Sequence, residues 1–251
     1  IGDQACKSAL SGKPEGHHAF PLEPRVQGRF ARIATAETFF RDVRPFPAAR
    51  PVPRVSSIPD RAFLRRQLRQ RRRDLPATAR IAAAEALSNH LLSLPFLPAS
   101  GLVAGYWAMD GEIGLHVFQL RLPAALTYCL PLLHADDTLR FAPWRAGDPL
   151  VTNRFGIPEP DIDPDAALPA SEMAMLVLPL VGFDGRCNRL GMGGGWYDRS
   201  LAFRRDTSAP PWLVGAGFDV QRVEALQHEA WDVPLDAVCS EVATHLAEHI
   251  A

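Results

Sequence analysis

The sequence is short of several things, and each shortage removes a class of protein. Cysteine is scarce: Cys6, Cys129, Cys187 and Cys239 are the four in 251 residues, and none forms a C-x-x-C pair. Neither a zinc site nor a disulfide framework is indicated, and reduced thiols in the cytoplasm are the simpler reading. The eight histidines do not gather at ligand spacing, which argues against a histidine-based catalytic centre or a zinc site. No G-x-S-x-G nucleophile elbow occurs. No apolar run approaches the ~20 residues of a membrane span, and no basic stretch followed by an apolar one marks a signal peptide. An excess of either charge is also missing. With 27 Lys and Arg against 28 Asp and Glu, the net charge is −1, so nothing global draws the chain to nucleic acid or to a membrane. Apolar residues are plentiful at 47%, ample for one large domain or two small ones.

Residues 1–60 differ from the rest. Prolines recur at Pro14, Pro21, Pro24, Pro45, Pro47, Pro51, Pro53 and Pro59, with arginines interspersed from Arg25 to Arg54. No helical or strand period holds for long, although Phe30–Phe40 suits a short helix. Such a stretch buries too little surface to offset its ordering entropy. We expect a disordered extension, arising from an upstream start and without a role in the chemistry. An RNA-binding arm is the alternative, weakened by Glu15, Glu23, Glu37 and Asp42.

From there the chain alternates helices and strands. Arg61–Leu75 reads as a helix whose apolar stripe is Leu64, Leu68 and Leu75, its arginines mostly a solvated face. Pro76 stops it. Ala77–Leu94 is an Ala/Leu-rich helix offering Ile81, Leu87, Leu91 and Leu94 to the core. Leu102–Trp107 reads as a strand, Ile113–Arg121 as a helix, and Leu126–Leu132 and Thr138–Trp144 as strands. Arg154–Pro160 is a proline-bound loop to which we assign no chemistry, and Asp161–Pro169 an acidic linker. Strands at Glu172–Val181, Trp212–Phe218 and Ala237–Cys239, a helix at Trp196–Arg204 and a terminal helix at Thr244–Ile250 complete the reading. The alternation predicts a three-layer α/β/α fold, Rossmann-like, with a mostly parallel central sheet. Residues 61–251 form its single domain. Ligands in such sheets bind beyond the carboxyl ends of the strands.

The stretch that organises the chain is Asn188–Arg199, NRLGMGGGWYDR. Glycines let a backbone approach a ligand and turn several N–H groups toward it. A following helix start adds partial positive charge. Gly191, Gly193, Gly194 and Gly195 supply the loop, Arg189 and Arg199 flank it, and Asp198 is placed to hold a metal that bridges phosphates. The loop is neither a Walker A motif, lacking its Lys-Ser/Thr, nor the dinucleotide fingerprint. On its own it is equally a phosphate cradle or a tight structural turn.

RLGMGGGWYDR resembles the R-L-G-x-G-x-G-Y-Y-D-R signature of the 5-formyltetrahydrofolate cyclo-ligase (methenyltetrahydrofolate synthetase) family, and the likeness runs from about Phe63 to Glu241. It implies ATP- and Mg²⁺-dependent conversion of 5-formyltetrahydrofolate to 5,10-methenyltetrahydrofolate, with ADP and phosphate released. The family's K-x-x-L-R, which contacts ATP, falls on Arg65, Leu68 and Arg69, with Arg65 in place of the lysine. The resemblance further implies ATP contacts from Arg189, Leu190, Gly191, Met192, Gly193, Gly194, Gly195, Trp196 and Tyr197. It implies folate contacts from Trp107, Glu112, Met192, Gly193, Gly194, Gly195 and Trp196, and magnesium on Asp198 and Asp232. A carboxylate such as Glu112 suits the paired donors of an amino-pyrimidine ring. Two departures stand out. Met192 and Gly194 occupy positions where the family can carry a basic residue, and Trp196 replaces the first tyrosine, keeping the stacking surface without the phenol. The partners expected are small molecules, with no nucleic acid and no membrane, acting on a cytoplasmic monomer. The rival readings are another nucleotide- or sugar-phosphate-binding enzyme on a similar sheet and a basic nucleic-acid-binding protein.

Overall fold

The computed structural model of the protein describes residues 60–250. The expectations for the extension and for a helix at Phe30–Phe40 lie outside them.

Helix α1 (Arg61–Arg73) opens on Asp60, whose carboxylate accepts the Phe63 N–H, and ends on Arg71, Arg72 and Arg73. Acid at the start and cations at the end match the helix dipole. Leu68 is buried as expected, but so is Arg72: the arginine face is not wholly solvated. Helix α2 (Ala77–Leu92) presents Ala83, Ala84, Leu87 and Leu91 to the core. Ile81 is 69% exposed, a correction. It lies about a quarter-turn round from that face, so Ala83 and Ala84 pack in its stead.

Strand β1 (Gly101–Ala104) is followed by α3 (His116–Arg121), β2 (Leu126–Leu133) and β3 (Leu139–Pro143). Next come β4 (Leu150–Thr152), β5 (Pro158–Pro160), β6 (Leu168–Pro169) and β7 (Met175–Pro179). The chain closes through β8 (Gly182–Phe183), β9 (Arg189–Leu190), α4 (Trp196–Ser200), β10 (Trp212–Ala216), β11 (Ala237–Cys239) and β12 (Thr244–Leu246). Eight strands form one sheet in the order β12-β11-β10-β7-β1-β2-β3-β6. Its centre, from β11 to β2, is parallel, and antiparallel strands close both edges. The centre is doubly wound: β2 lies on one side of β1 and β7 on the other. The crevice beyond their carboxyl ends is the topological switch point, where such sheets bind ligands.

Period-two alternation in β7 splits the core. Met175 and Val177 join Leu87, Leu91 and Phe118 on the face covered by α2 and α3. Leu176 and Leu178 join Leu201 and Leu213 on the other face. The layers are as expected, but the second face is covered by short pieces. Helix α4 stops at Ser200 and a 3₁₀ turn, Ala202–Arg205, replaces the rest of the expected helix. The Ser200 hydroxyl donates back to the Trp196 carbonyl at 2.7 Å and accepts the Leu139 N–H, which ties that end to β3.

Three other expectations change. Thr244–Ile250 is not a helix but begins with β12, antiparallel to β11. The Ser240 hydroxyl accepts the Val242 and Ala243 N–H groups at 3.1 Å and fixes a hairpin turn that overrides helical propensity. The Asp161–Pro169 linker contains a 3₁₀ turn, Pro164–Ala166, and edge strand β6. The strand before the glycine loop is shorter than expected, and a β8–β9 hairpin intervenes between the two.

Candidate active site

The hairpin fixes the root of the glycine loop. The carboxylate of buried Asp184 accepts the N–H groups of Arg186, Asn188 and Leu226 and the Asn188 amide. Leu190, counted at sequence level among the ATP contacts, turns into a small core with Leu68 and Val181. Its side chain anchors the loop to α1. The loop carbonyls are held in turn: Arg65 Nε donates to Gly191 O at 2.8 Å and Arg199 Nη1 to Gly194 O at 2.9 Å. Gly193 and Gly195 have φ of +99° and +70°, backbone states that side chains resist. Helix α4 is only five residues long, so the positive charge expected from a helix start is small, and the guanidinium groups supply most of it.

A cavity of about 250 Å³ lies on one side of this loop, at the carboxyl ends of β1, β2 and β7. Tyr106, Trp107, Asp110 and Glu112 enter from the segment after β1, and Trp196, Tyr197 and Asp198 from α4. The Trp196 ring is flanked by the Arg199 and Arg154 guanidiniums, 5.0 and 5.4 Å from its centroid, with Phe155 edge-on. Trp107 packs edge-on against Trp144.

Glu112 is placed by the segment it sits in. Its Oε2 accepts the Met109 N–H at 3.0 Å, across Asp110 and Gly111, which have φ of +51° and +76°. Burial pushes its carboxyl pKa up, although the Met109 N–H and the nearby Arg72 charge oppose this. The strained Asp110 is held by three arginines of α1. Arg69 Nε and Arg72 Nη2 reach its Oδ2 at 2.7 and 2.8 Å, and Arg73 its Oδ1. Burial raises the Asp110 pKa, but these hydrogen bonds outweigh it and hold the carboxyl well below the usual range.

Sequence reasoning missed one wall of this cavity. Asn153, Phe155, Ile157 and Glu159 line it; the last three lie in the Arg154–Pro160 loop, to which no chemistry was assigned, and Asn153 directly precedes it. The Asn153 carboxamide oxygen accepts the Phe155 and Ile157 N–H groups. Glu159 Oε2 accepts from Asn153 Nδ2 and the Leu133 N–H, which ties the β4–β5 hairpin to β2. A glutamate between two prolines was the available signal.

A second cavity, about 260 Å³, lies across the loop and shares Arg189, Gly191, Gly193, Gly195 and Asp198 with the first. Its other lining residues are Arg61, Arg65, Glu229, Trp231 and Asp232. Arg189 Nη2 donates to Asp198 Oδ1 at 2.5 Å, and Arg61 Nη1 to Asp232 Oδ2 at 3.0 Å. Asp232 also accepts the Glu229 N–H, so it caps a turn as well as facing the cavity. Burial and the Arg61 charge lower the Arg65 pKa. The two candidate metal ligands thus reach one cavity, each already paired with an arginine. Among the described residues, no group of three or more acidic, histidine or cysteine side chains is disposed as a metal site. Arg69 lines neither cavity, its Nε being taken by Asp110. Arg61, Glu229 and Trp231 were not anticipated.

Comparison with known proteins fits this arrangement. Residues 57–241 match the 5-formyltetrahydrofolate cyclo-ligase family. The chain belongs to that family. The match spans every residue lining the two cavities. The chain is 37% identical over 179 residues to the 5-formyltetrahydrofolate cyclo-ligase of Haemophilus influenzae, covering 70% of this chain and 94% of that one. It is likewise 37% identical over 175 residues to the Escherichia coli K12 cyclo-ligase, covering 68% and 94%. Among solved structures, Aquifex aeolicus 5,10-methenyltetrahydrofolate synthetase superposes with a TM-score of 0.64 at 26% identity, covering 75% of this chain and 93% of that one. The Mycoplasma pneumoniae synthetase, at 21% identity, shares the fold with a TM-score of 0.57, covering 73% and 99%. Among the described residues no helix is long and apolar enough to cross a membrane, and Cys129, Cys187 and Cys239 are buried free thiols.

Proposed function

We propose that the protein converts 5-formyltetrahydrofolate and ATP to 5,10-methenyltetrahydrofolate, ADP and phosphate. Residues 61–251 would carry the reaction as a cytoplasmic monomer. The observation that carries the reading is the shared wall. An aromatic cavity holding a buried carboxylate and a charged cavity lined by Arg61, Arg65 and Arg189 meet at one glycine loop. A pterin in the first and a triphosphate in the second would bring acceptor and donor together there.

The formyl oxygen attacks the γ-phosphorus and ADP leaves. N10 then adds to the activated formyl carbon, phosphate departs with the former formyl oxygen, and the N10 proton is lost. No enzyme nucleophile is needed, so catalysis rests on positioning and charge neutralisation. In this reading Glu112, ionised, accepts the paired N–H donors of the pterin, and Trp107 and Trp196 flank its ring. Arg65 and Arg189 face phosphate oxygens together with loop N–H groups. Arg69 acts at one remove, through Asp110. Magnesium, when bound, would neutralise phosphate charge. Asp198 and Asp232 fit it by chemistry and by place, since both carboxylates face the cavity that the arginines line.

The test follows near-ultraviolet absorbance of methenyltetrahydrofolate on mixing the protein with 5-formyltetrahydrofolate, ATP and Mg²⁺. A rise that needs all three components is expected. ATP binding without any such rise would refute the cyclisation and leave a different nucleotide-dependent enzyme.

A further inference from the structure

We infer that Trp231 is a stacking platform for the base of the bound nucleotide, a purine nucleoside triphosphate whose phosphates lie against the glycine loop. This rests on the nucleotide half of the function proposed above and adds a base-recognition surface to it.

Three observations converge on this side chain. Trp231 is 61% exposed, although it carries the largest of the exposed apolar side chains among the described residues. Exposure alone says little, because single apolar side chains on surfaces are common. Its position says more, since it lines the charged cavity beside Arg65, Arg189 and Gly193. Its lack of partners adds to this. Each of the other four tryptophans has a ring or guanidinium against it: Trp107 with Trp144, Trp212 with Phe96, and Trp196 between Arg154 and Arg199. Among the described residues nothing comparable stacks on Trp231.

The ring is also carried on a fixed backbone. Arg61 clamps Asp232, the Asp232 carboxylate accepts the Glu229 N–H, and the Asp232 N–H donates to the Glu229 carbonyl at 3.0 Å. On the other flank Arg205 Nη1 donates to the Trp231 carbonyl at 3.2 Å. A bare aromatic face on a pinned turn, beside a cavity built for phosphates, matches a base joined to a phosphate chain. The face would gain stacking energy from a heterocycle without reading its edges, so it favours the larger purine surface over a pyrimidine.

The experiment is a calorimetric titration of the full chain, in Mg²⁺, with a non-hydrolysable ATP analogue and separately with tripolyphosphate, which has no base. Wild type, Trp231→Ala and Trp231→Phe are compared. We expect Trp231→Ala to weaken the analogue about tenfold or more, Trp231→Phe to stay within about threefold of wild type, and tripolyphosphate to bind all three alike. Equal affinity of the analogue for wild type and Trp231→Ala overturns the inference. So does an equal loss for tripolyphosphate, which would make the ring only a support of the turn. Turnover of 5-formyltetrahydrofolate, read separately, keeps the two ideas apart. Trp231-dependent binding without turnover supports the stacking role and removes the cyclisation. Turnover with no effect of Trp231→Ala on binding removes the stacking role alone.

Discussion

Arg69, Arg72 and Arg73 all hold the carboxylate of Asp110, yet their removal should differ sharply in cost. Their side chains are 33%, 0% and 45% exposed respectively. Arg72 also donates from Nε to the Asp110 carbonyl at 3.0 Å and from Nη1 to the Leu180 carbonyl at 3.3 Å, and its Nη1 lies 3.7 Å from Glu112. Arg72→Leu keeps most of the apolar stem but strips two carbonyls of their donor and leaves two acids short of a countercharge. Breaking one side of a buried ion pair costs about 3–5 kcal/mol, whereas an exposed pair such as that of Arg73 is worth about 0–1 kcal/mol. For a domain of this size each kcal/mol moves Tm by about 2–4 °C. Arg72→Leu should therefore lose roughly 6–20 °C in a thermal melt followed by circular dichroism, and Arg73→Ala no more than a few degrees. Equal losses in the two variants would refute the assignment of burial as the deciding factor. The acid limb gives a second reading. The Asp110 pKa is depressed from its ordinary 3.8, so its stabilisation is complete above that value and is lost as pH falls through the folded one. Wild type should therefore lose more stability than Arg72→Leu when acidified below about pH 4.

Three further outcomes follow from the same geometry. Because burial raises the Glu112 pKa above its ordinary 4.5, and the proposed pterin contact uses the carboxylate, kcat/KM should fall with acid at a pH above that value. Glu112→Gln should lose turnover at every pH while its melting temperature holds or rises, and a variant with wild-type KM for the folate would count against the pterin contact. Asp198→Asn should leave the fold intact and reduce turnover at least about a hundredfold, the scale of losing an electrostatic group in the transition state. Chelating Mg²⁺ should weaken ATP binding in wild type far more than in that variant, as read by calorimetry. Gly193→Ala places a side chain at φ +99°, with its Cβ 3.5 Å from the Arg65 guanidinium carbon. It should raise KM for ATP severalfold without moving the melting temperature much, and unchanged kinetics would mean that the loop conformation is not needed.

The legible part of this protein was the part written locally. The glycine loop with its flanking Arg189 and Asp198 is a local pattern, whereas Glu112 was singled out by the family resemblance; all of them line the two cavities. The parallel centre of the sheet was legible from apolar runs such as Met175–Pro179, buried on both faces. What escaped was non-local. Arg61 meets Asp232 across 171 positions of sequence, and no spacing rule reports that. The β4–β5 hairpin reads as a turn because its prolines describe its rigidity and not what it folds over. In helix α1 Leu64 and Leu68 pack as expected and Arg65 reaches the charged cavity, whereas Arg69 does not. Arg61 and Arg65, about one helical turn apart, line the charged cavity, while Arg69, Arg72 and Arg73 turn to Asp110. The terminal strand failed for a different reason: the short turn at Ser240 decided between helix and hairpin.

The charge balance of the second cavity bears on the whole reading. Three guanidinium groups, from Arg61, Arg65 and Arg189, face three carboxylates, from Asp198, Glu229 and Asp232. A site meant to hold a polyanion by arginines alone would carry an excess of positive charge. Here nothing is left over, and the two closest arginine partners are already committed at 2.5 and 3.0 Å. Met192 and Gly194, where the family can place a basic residue, add no cation to the balance. A triphosphate entering without a cation would meet carboxylates it repels. One accompanied by a divalent cation would turn those carboxylates into ligands and release the arginines toward its oxygens. In the function proposed above, these acids favour a triphosphate that enters with a divalent cation, which would offset the lack of a basic residue at Met192 and Gly194.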